Sequence, residues 1–103
     1  MNKYHAKRTF SNICDMFFAS RLEATRGEEL HFLELAGEIT DLEYQVSFIL
    51  CVKPKITVSI DFKYKVNGNI IYEDAKGILT RDSRTKYAWL KEKYDVEVKL
   101  YRY

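Results

Sequence analysis

The dipeptide Asn67-Gly68 constrains this chain more than any other feature of it. Both residues tolerate the positive φ angles of a two-residue type I′ turn, and alternating apolar residues flank the pair on each side. The turn predicts a hairpin with Val66 opposite Asn69. Counting outward sets Lys65 against Ile70, Lys63 against Tyr72, Asp61 against Asp74 and Ser59 against Lys76. Residues directly opposite share a face, so Asp61, Asp74 and Lys76 are expected to project together, with Glu73 on the other face. A bulge or a three-residue loop would exchange Glu73 and Asp74. Two carboxylates set face to face repel. A shared proton relieves the repulsion, and so does a divalent cation, which takes oxygen ligands converging from different elements. A solvated, charged strand end is the plain alternative.

The rest of the chain builds around that hairpin. In "KRTFSNICDMFFAS" two short extended pieces flank a turn, with Phe10, Phe17 and Phe18 expected as core anchors. "SRLE" has the form of a capping box, in which Ser20 accepts from the Glu23 N–H and Glu23 reaches back to the helix start. Leu22, Leu30, Leu33 and Ala36 set an apolar helix face that Phe32 and Leu35 widen, and Gly37 supplies a left-handed stop. "DLEYQVSFILCV" alternates Leu42, Tyr44, Val46, Phe48, Leu50 and Val52 on one side, and the break falls at Pro54, the only proline. The second strand carries Val58, Ile60, Phe62, Tyr64 and Val66 inward, and the third covers about 69–76.

After a loop from Gly77 to Arg81, Asp82 or Ser83 is expected to cap a helix running to about Tyr94. Tyr87, Leu90 and Tyr94 form its inner face, with Trp89 at the edge. "VEVKLYRY" then returns as a strand, parallel to the third because a strand–helix–strand crossover is right-handed. The expected architecture is one mixed α/β domain spanning residues 1–103, a sheet flanked by helices in the order helix, three antiparallel strands, helix, strand.

An apolar share of 47% suffices for a core, and no apolar run reaches the length that spans a bilayer. The stretch "MNKYHAKRTF" lacks a signal-peptide core. Cys14 and Cys51 stand far apart without CxxC spacing, which predicts reduced thiols in a cytoplasmic protein. His5 and His31 have no partner at metal-site spacing. The net charge is only +2, but its distribution is uneven. Lys3, Lys7 and Arg8 open the chain without an acid, the stretch from Asp15 to Glu43 is acidic, and the stretch from Lys76 onward is basic. Basic ends of this kind suit a phosphate-binding surface, and they suit an ordinary mixed-charge surface equally.

The stretch "IDF…YEDAK" resembles the signature of the PD-(D/E)XK nuclease superfamily, an Asp on one strand, then Asp or Glu, any residue and Lys on the next. "FASRLEATRGEELHFLELAGEITDLEYQ" resembles the helix that supplies a further carboxylate in phage junction-resolving endonuclease I and its relatives. The chain is more similar still to short phage proteins built as "KYxxK…FxSxLEA…LExAGEIxDLExQ…ADF…VEDVKG". Here the matching stretches are "KYHAK", "FASRLEA", "LELAGEITDLEYQ", "IDF" and "YEDAKG", in the same order over nearly the whole chain. Two departures stand out. Ile60 replaces the Ala or Pro that usually precedes the first Asp, and the segment between the first two strands is shorter than in many relatives.

The resemblance implies a restriction-endonuclease-like αβββαβ core and hydrolysis of DNA phosphodiester bonds, branched or junction DNA among the substrates. By that implication Glu23, Asp61 and Asp74, with the carbonyl of Ala75, hold Mg²⁺, for which Mn²⁺ substitutes, and Lys76 orients or deprotonates the attacking water. Lys3, Lys7, Arg8, Gln45, Arg81, Arg84 and Lys86 would contact the nucleic acid, the cations among them mainly through phosphates. It further implies a symmetric homodimer acting in the cytoplasm of a bacterial host, with neither a membrane nor a small-molecule substrate involved. The same fold retained only for binding nucleic acid or a protein, as a regulator or inhibitor, is the competing expectation. Tyr87 and Trp89 could stack on bases, although their helical spacing favours core packing.

Overall fold

The computed structural model describes residues 7–102, in which the chain runs β1 (Thr9–Ser11), β2 (Met16–Phe18), α1 (Arg21–Leu35), β3 (Thr40–Cys51), β4 (Ile56–Val66), β5 (Asn69–Ala75), α2 (Arg81–Tyr94) and β6 (Val98–Tyr101). The four longer strands form a sheet in the order β3-β4-β5-β6, antiparallel except where β6 lies parallel to β5. Among the described residues the first two strands pair only with each other. Two helices and a mostly antiparallel sheet thus make a small mixed α/β fold.

The turn acts as its residues require. Asn67 and Gly68 take φ of 52° and 83°, Val66 pairs with Asn69, and the ladder runs through Lys63 opposite Tyr72 to Phe62 opposite Glu73. Because that register holds, adjacent residues of β5 serve opposite sides of the sheet. Glu73 faces Arg26 of α1, and Asp74 faces Tyr87 of α2.

Ser20 caps α1, its Oγ accepting from the Glu23 N–H at 3.1 Å. At the other end Gly37 takes a φ of 79° and the Glu38 N–H returns to the Leu33 carbonyl, satisfying the last turn. The buried stripe is narrower than the apolar pattern suggests. Glu23, Ala24, Gly27 and Leu30 are buried, while Phe32, Leu35 and Ala36 face solvent. Gly27 shows why, since a Cβ there would lie 2.7 Å from Cζ of Phe18. The helix sits close on that ring, and close seating on one stripe turns the residues half a turn away outward.

Thr80, rather than Asp82 or Ser83, caps α2, accepting from the Ser83 N–H at 3.1 Å. Asp95 ends the helix in the left-handed region. Leu90 is fully buried, but Tyr94 rests half-exposed against Phe48 and donates to the Ile49 carbonyl. Three other expected core residues also face out. Val52 lies in the turn past the end of β3, and Phe10 and Phe17 form the outer face of the small hairpin while Phe18 takes the inner one.

Two hydrophobic clusters result, and β4 serves both. Phe62 and Tyr64 join Ala24, Leu30 and Ile39 beneath α1. Val58 and Ile60, which belong to the same alternation, join Leu50, Leu90 and Val96 beneath α2. The strand changes layers between Ile60 and Phe62. Asp61 occupies that step.

Candidate functional site

At the step, side chains take over from the ladder. The Asp61 N–H donates to Oδ1 of Asp74 at 2.7 Å, and the Ala75 N–H donates to Oδ2 of Asp61 at 2.9 Å. Across the other edge of β4, Tyr44 pairs with Phe62 and Val46 with Ile60, while Gln45 between them drops out of the ladder with a φ of 54°. A left-handed non-glycine residue in a strand carries about 1–2 kcal/mol of strain. Here the kink accompanies a specific contact, in which Nε2 of Gln45 donates to Oε2 of Glu23 at 2.7 Å.

Glu23 arrives from the first turn of α1 and is buried. Only the Ser20 half of the capping box is made; the Glu23 carboxylate turns instead to Gln45 and toward Asp61. Glu23, Gln45, Asp61, Ala75 and Lys76 line a cleft of about 760 Å³, with Lys7 among the other lining residues. Asp74 lies behind, buried, and lines a second cavity of about 340 Å³ together with Ser59, Lys86 and Tyr87. Lys76 lines both. A larger groove of about 990 Å³ between α2 and β6 has Lys91, Asp95 and Glu97 among its lining residues. Asp95 and Glu97 both pair there with Lys91 at the surface, whereas the smaller cleft is lined by the buried Glu23 and by Asp61.

The electrostatics follow from that packing. Burial, then the charges of Asp74 and Glu23, push the Asp61 carboxyl up to about 8, against the pull of the Ala75 N–H and Lys76. Burial and the Asp74 charge also raise Glu23, while Asp61, Lys76 and Gln45 pull it down. Tyr87, raised by burial and by its bond to Asp74, remains a donor to that carboxylate. A cluster of buried acids facing one another holds a proton or a cation.

A family model described as "Protein of unknown function (DUF1064)" matches residues 1–102. The chain belongs to the DUF1064 family. No curated protein and no solved structure matches it.

In this DUF1064 chain the expected site residues divide into three groups. Glu23, Asp61, Ala75 and Lys76 share the cleft, and Asp74 is hydrogen-bonded to the Asp61 backbone from behind. Among the described residues no three His, Cys, Asp or Glu side chains stand at ready metal-ligand spacing. Both oxygens of Asp74 are engaged, one by the Asp61 N–H and the other by the Tyr87 hydroxyl. Of the expected nucleic-acid contacts, Lys7 borders the cleft, Arg8 lies over the Phe17 ring, and Arg81 and Arg84 are exposed on the first turn of α2. Lys86 borders the Asp74 cavity and pairs with Asp82 at 3.7 Å. Gln45 is committed to Glu23. Lys3 and His5 lie outside the described residues.

Two features escaped the sequence reading. Tyr87 packs in the α2 cluster, as its spacing suggests, and its hydroxyl also reaches the site. Glu73 is fully buried and held by Arg26 at 2.6 and 3.0 Å and by the Tyr64 hydroxyl at 2.6 Å. Arg26 lies on the buried side of α1, one turn from Glu23. A cation at such a position signals a buried acid opposite.

Proposed function

We propose that this chain is a metal-dependent endonuclease of the PD-(D/E)XK kind that hydrolyses DNA phosphodiester bonds, branched or junction DNA among them. One observation carries the reading. Glu23 from α1, Asp61 from β4 and Lys76 after β5 line one cleft where β4 and β5 stop pairing, and Asp74 of β5 holds the Asp61 backbone N–H from behind. The order of α1, three antiparallel strands, α2 and a parallel strand agrees with the αβββαβ core of that superfamily, with the β1–β2 hairpin as an addition.

The donor set fits a hard divalent cation, since the charge of Asp74 raises both Glu23 and Asp61, and a positive charge among these carboxylates would relieve that repulsion. Glu23, Asp61, Asp74 and the Ala75 carbonyl would hold Mg²⁺ or Mn²⁺, which supplies Lewis acidity toward a phosphate oxygen and acidifies a water. The chain's own residues do the rest. Gln45 fixes the Glu23 carboxylate and Tyr87 fixes that of Asp74. Lys76, lying between the two cavities, orients the attacking water and screens charge developing on phosphorus. Lys7, Arg81, Arg84 and Lys86 grip flanking phosphates, so binding weakens steeply with salt. The same reading has the chain working as a homodimer in the cytoplasm of a bacterial host; no helix among the described residues is long and apolar enough to cross a membrane.

A second reading, a nuclease fold kept for binding alone, draws on the engaged oxygens of Asp74. The two separate in one assay. A synthetic four-way junction and a linear duplex are incubated with the protein in Mg²⁺, Mn²⁺ or EDTA. The endonuclease reading expects metal-dependent cleavage that Asp74→Ala abolishes. Cleavage persisting in EDTA, or unaffected by Asp74→Ala, contradicts the mechanism, and binding without cleavage in Mn²⁺ favours the second reading.

A further inference from the structure

Among the described residues, the outer face of the β1–β2 hairpin leaves two aromatic rings about half exposed. Thr9, Ser11, Met16 and Phe18 form the inner face, with Ser11 and Phe18 buried and the Ser11 hydroxyl donating to Glu28 of α1 at 2.6 Å. The outer face is one cross-strand pair, Phe10 opposite Phe17, their ring centroids 4.9 Å apart and their side chains 42% and 50% exposed. A three-residue strand pair gains little from exposing two aromatic rings to water. The rings are nonetheless firmly mounted, with Phe18 seated against Gly27 beneath them and the Thr9 hydroxyl donating to the Lys7 carbonyl at 2.8 Å.

The position of the pair gives it meaning. Lys7, Ala19 and Ser20, at the base of this hairpin, line the carboxylate cleft. At about 3.3 Å per residue, Phe10 and Phe17 stand about 10 Å from that lining, one or two nucleotides along a strand. The cations lie on the cleft side, Lys7 at its border and Arg8 with its guanidinium 4.0 Å from the Phe17 centroid. Asp15, the acid of residues 7–19, lies at the far turn. A chain of phosphates leaving the cleft would therefore meet Lys7 first and then the half-exposed Phe10–Phe17 pair with Arg8 lying over Phe17, a combination of cation and aromatic surface that suits an unpaired strand.

We infer that the β1–β2 hairpin is a stacking platform on which Phe10 and Phe17 hold unpaired bases of a DNA strand whose backbone enters the carboxylate cleft. The inference rests on the nuclease reading for the cleft and narrows its substrate class to DNA with a single-stranded segment at the cut, since bases inside a duplex have no free face.

Binding is measured in EDTA, where nothing is cut, with a single-stranded oligonucleotide carrying 2-aminopurine and a fully paired duplex of the same sequence. The single strand should bind with a change in 2-aminopurine fluorescence. The double variant Phe10→Leu/Phe17→Leu should weaken that binding about tenfold or more and abolish the fluorescence change, with duplex affinity altered less than about twofold. Phe10→Trp/Phe17→Trp should restore both, and circular dichroism checks that each variant folds. Equal single-strand binding by the leucine variant overturns the platform, as does an equal loss on duplex. A dimer that dissociates in the leucine variant assigns the patch to a second copy of the chain and also overturns it. A protein that cuts nothing in Mn²⁺ but gives the expected binding result loses the nuclease reading and keeps the platform.

Discussion

Glu73 and Asp74 are neighbours in sequence, both buried, and they have opposite surroundings. Glu73 meets a two-pronged Arg26 and a Tyr64 hydroxyl, so its charge and its lone pairs are satisfied within the fold. Asp74, on the other side of the sheet, shares its neighbourhood with Asp61 and Glu23. The first arrangement is closed and the second is open to a proton or a cation. A buried acid paired with an arginine serves the fold, whereas buried acids facing one another repel, and a proton or a cation relieves that repulsion.

The closed side should break most severely. Arg26→Met leaves the buried Glu73 charge with only the Tyr64 hydroxyl among these partners, and thermal or urea unfolding should show a loss of about 3–5 kcal/mol. The open side should respond with the other sign. In metal-free protein at pH 8, Asp61→Asn removes a like charge and should leave stability equal or raise it by about 1 kcal/mol, while eliminating any metal-dependent cleavage. A loss for Asp61→Asn as large as that for Arg26→Met would erase the contrast.

The pH dependence sharpens it. The Asp61 carboxyl titrates at about 8 in the folded chain against 3.8 for a free one. Its proton is thus held more tightly in the folded state, so the stability it contributes is present at low pH and is lost as pH rises from about 4 toward 8. The melting temperature of metal-free protein should fall across that window, and should fall less in Asp61→Asn.

Much of this was legible in the chain because the turn carried it. Asn67-Gly68 fixed the register, and the register alone separated Glu73 from Asp74. The helix that brings Glu23 was legible too, through Ser20 and Gly37. Three features were not. The alternation of β4 gives no hint that Ile60 and Phe62 serve different clusters, because that change coincides with a left-handed Gln45 on another strand, and glutamine has no special claim to that conformation. Phe10 and Phe17 read as core because hydrophobicity says nothing of which face a short hairpin turns to the helix. Tyr87 read as core packing or as a base-stacking ring because a periodic pattern registers the ring and ignores the hydroxyl.

Smaller effects divide along the same line. Tyr64→Phe removes a donor from a buried carboxylate and should cost about 1–2 kcal/mol of stability at any metal concentration. Tyr87→Phe should change metal-free stability less than that and weaken Mn²⁺ binding severalfold, since it frees Asp74 from its hold. Unfolding curves with and without Mn²⁺ distinguish the two.

The most direct measurement is calorimetric titration of the metal-free protein with Mn²⁺ at pH 8. Saturable binding is expected, accompanied by release of protons and absent from Asp61→Asn. Protein that takes up no Mn²⁺ at millimolar concentration, or that binds it equally after Asp61→Asn, contradicts the central claim that these facing acids form a cation site.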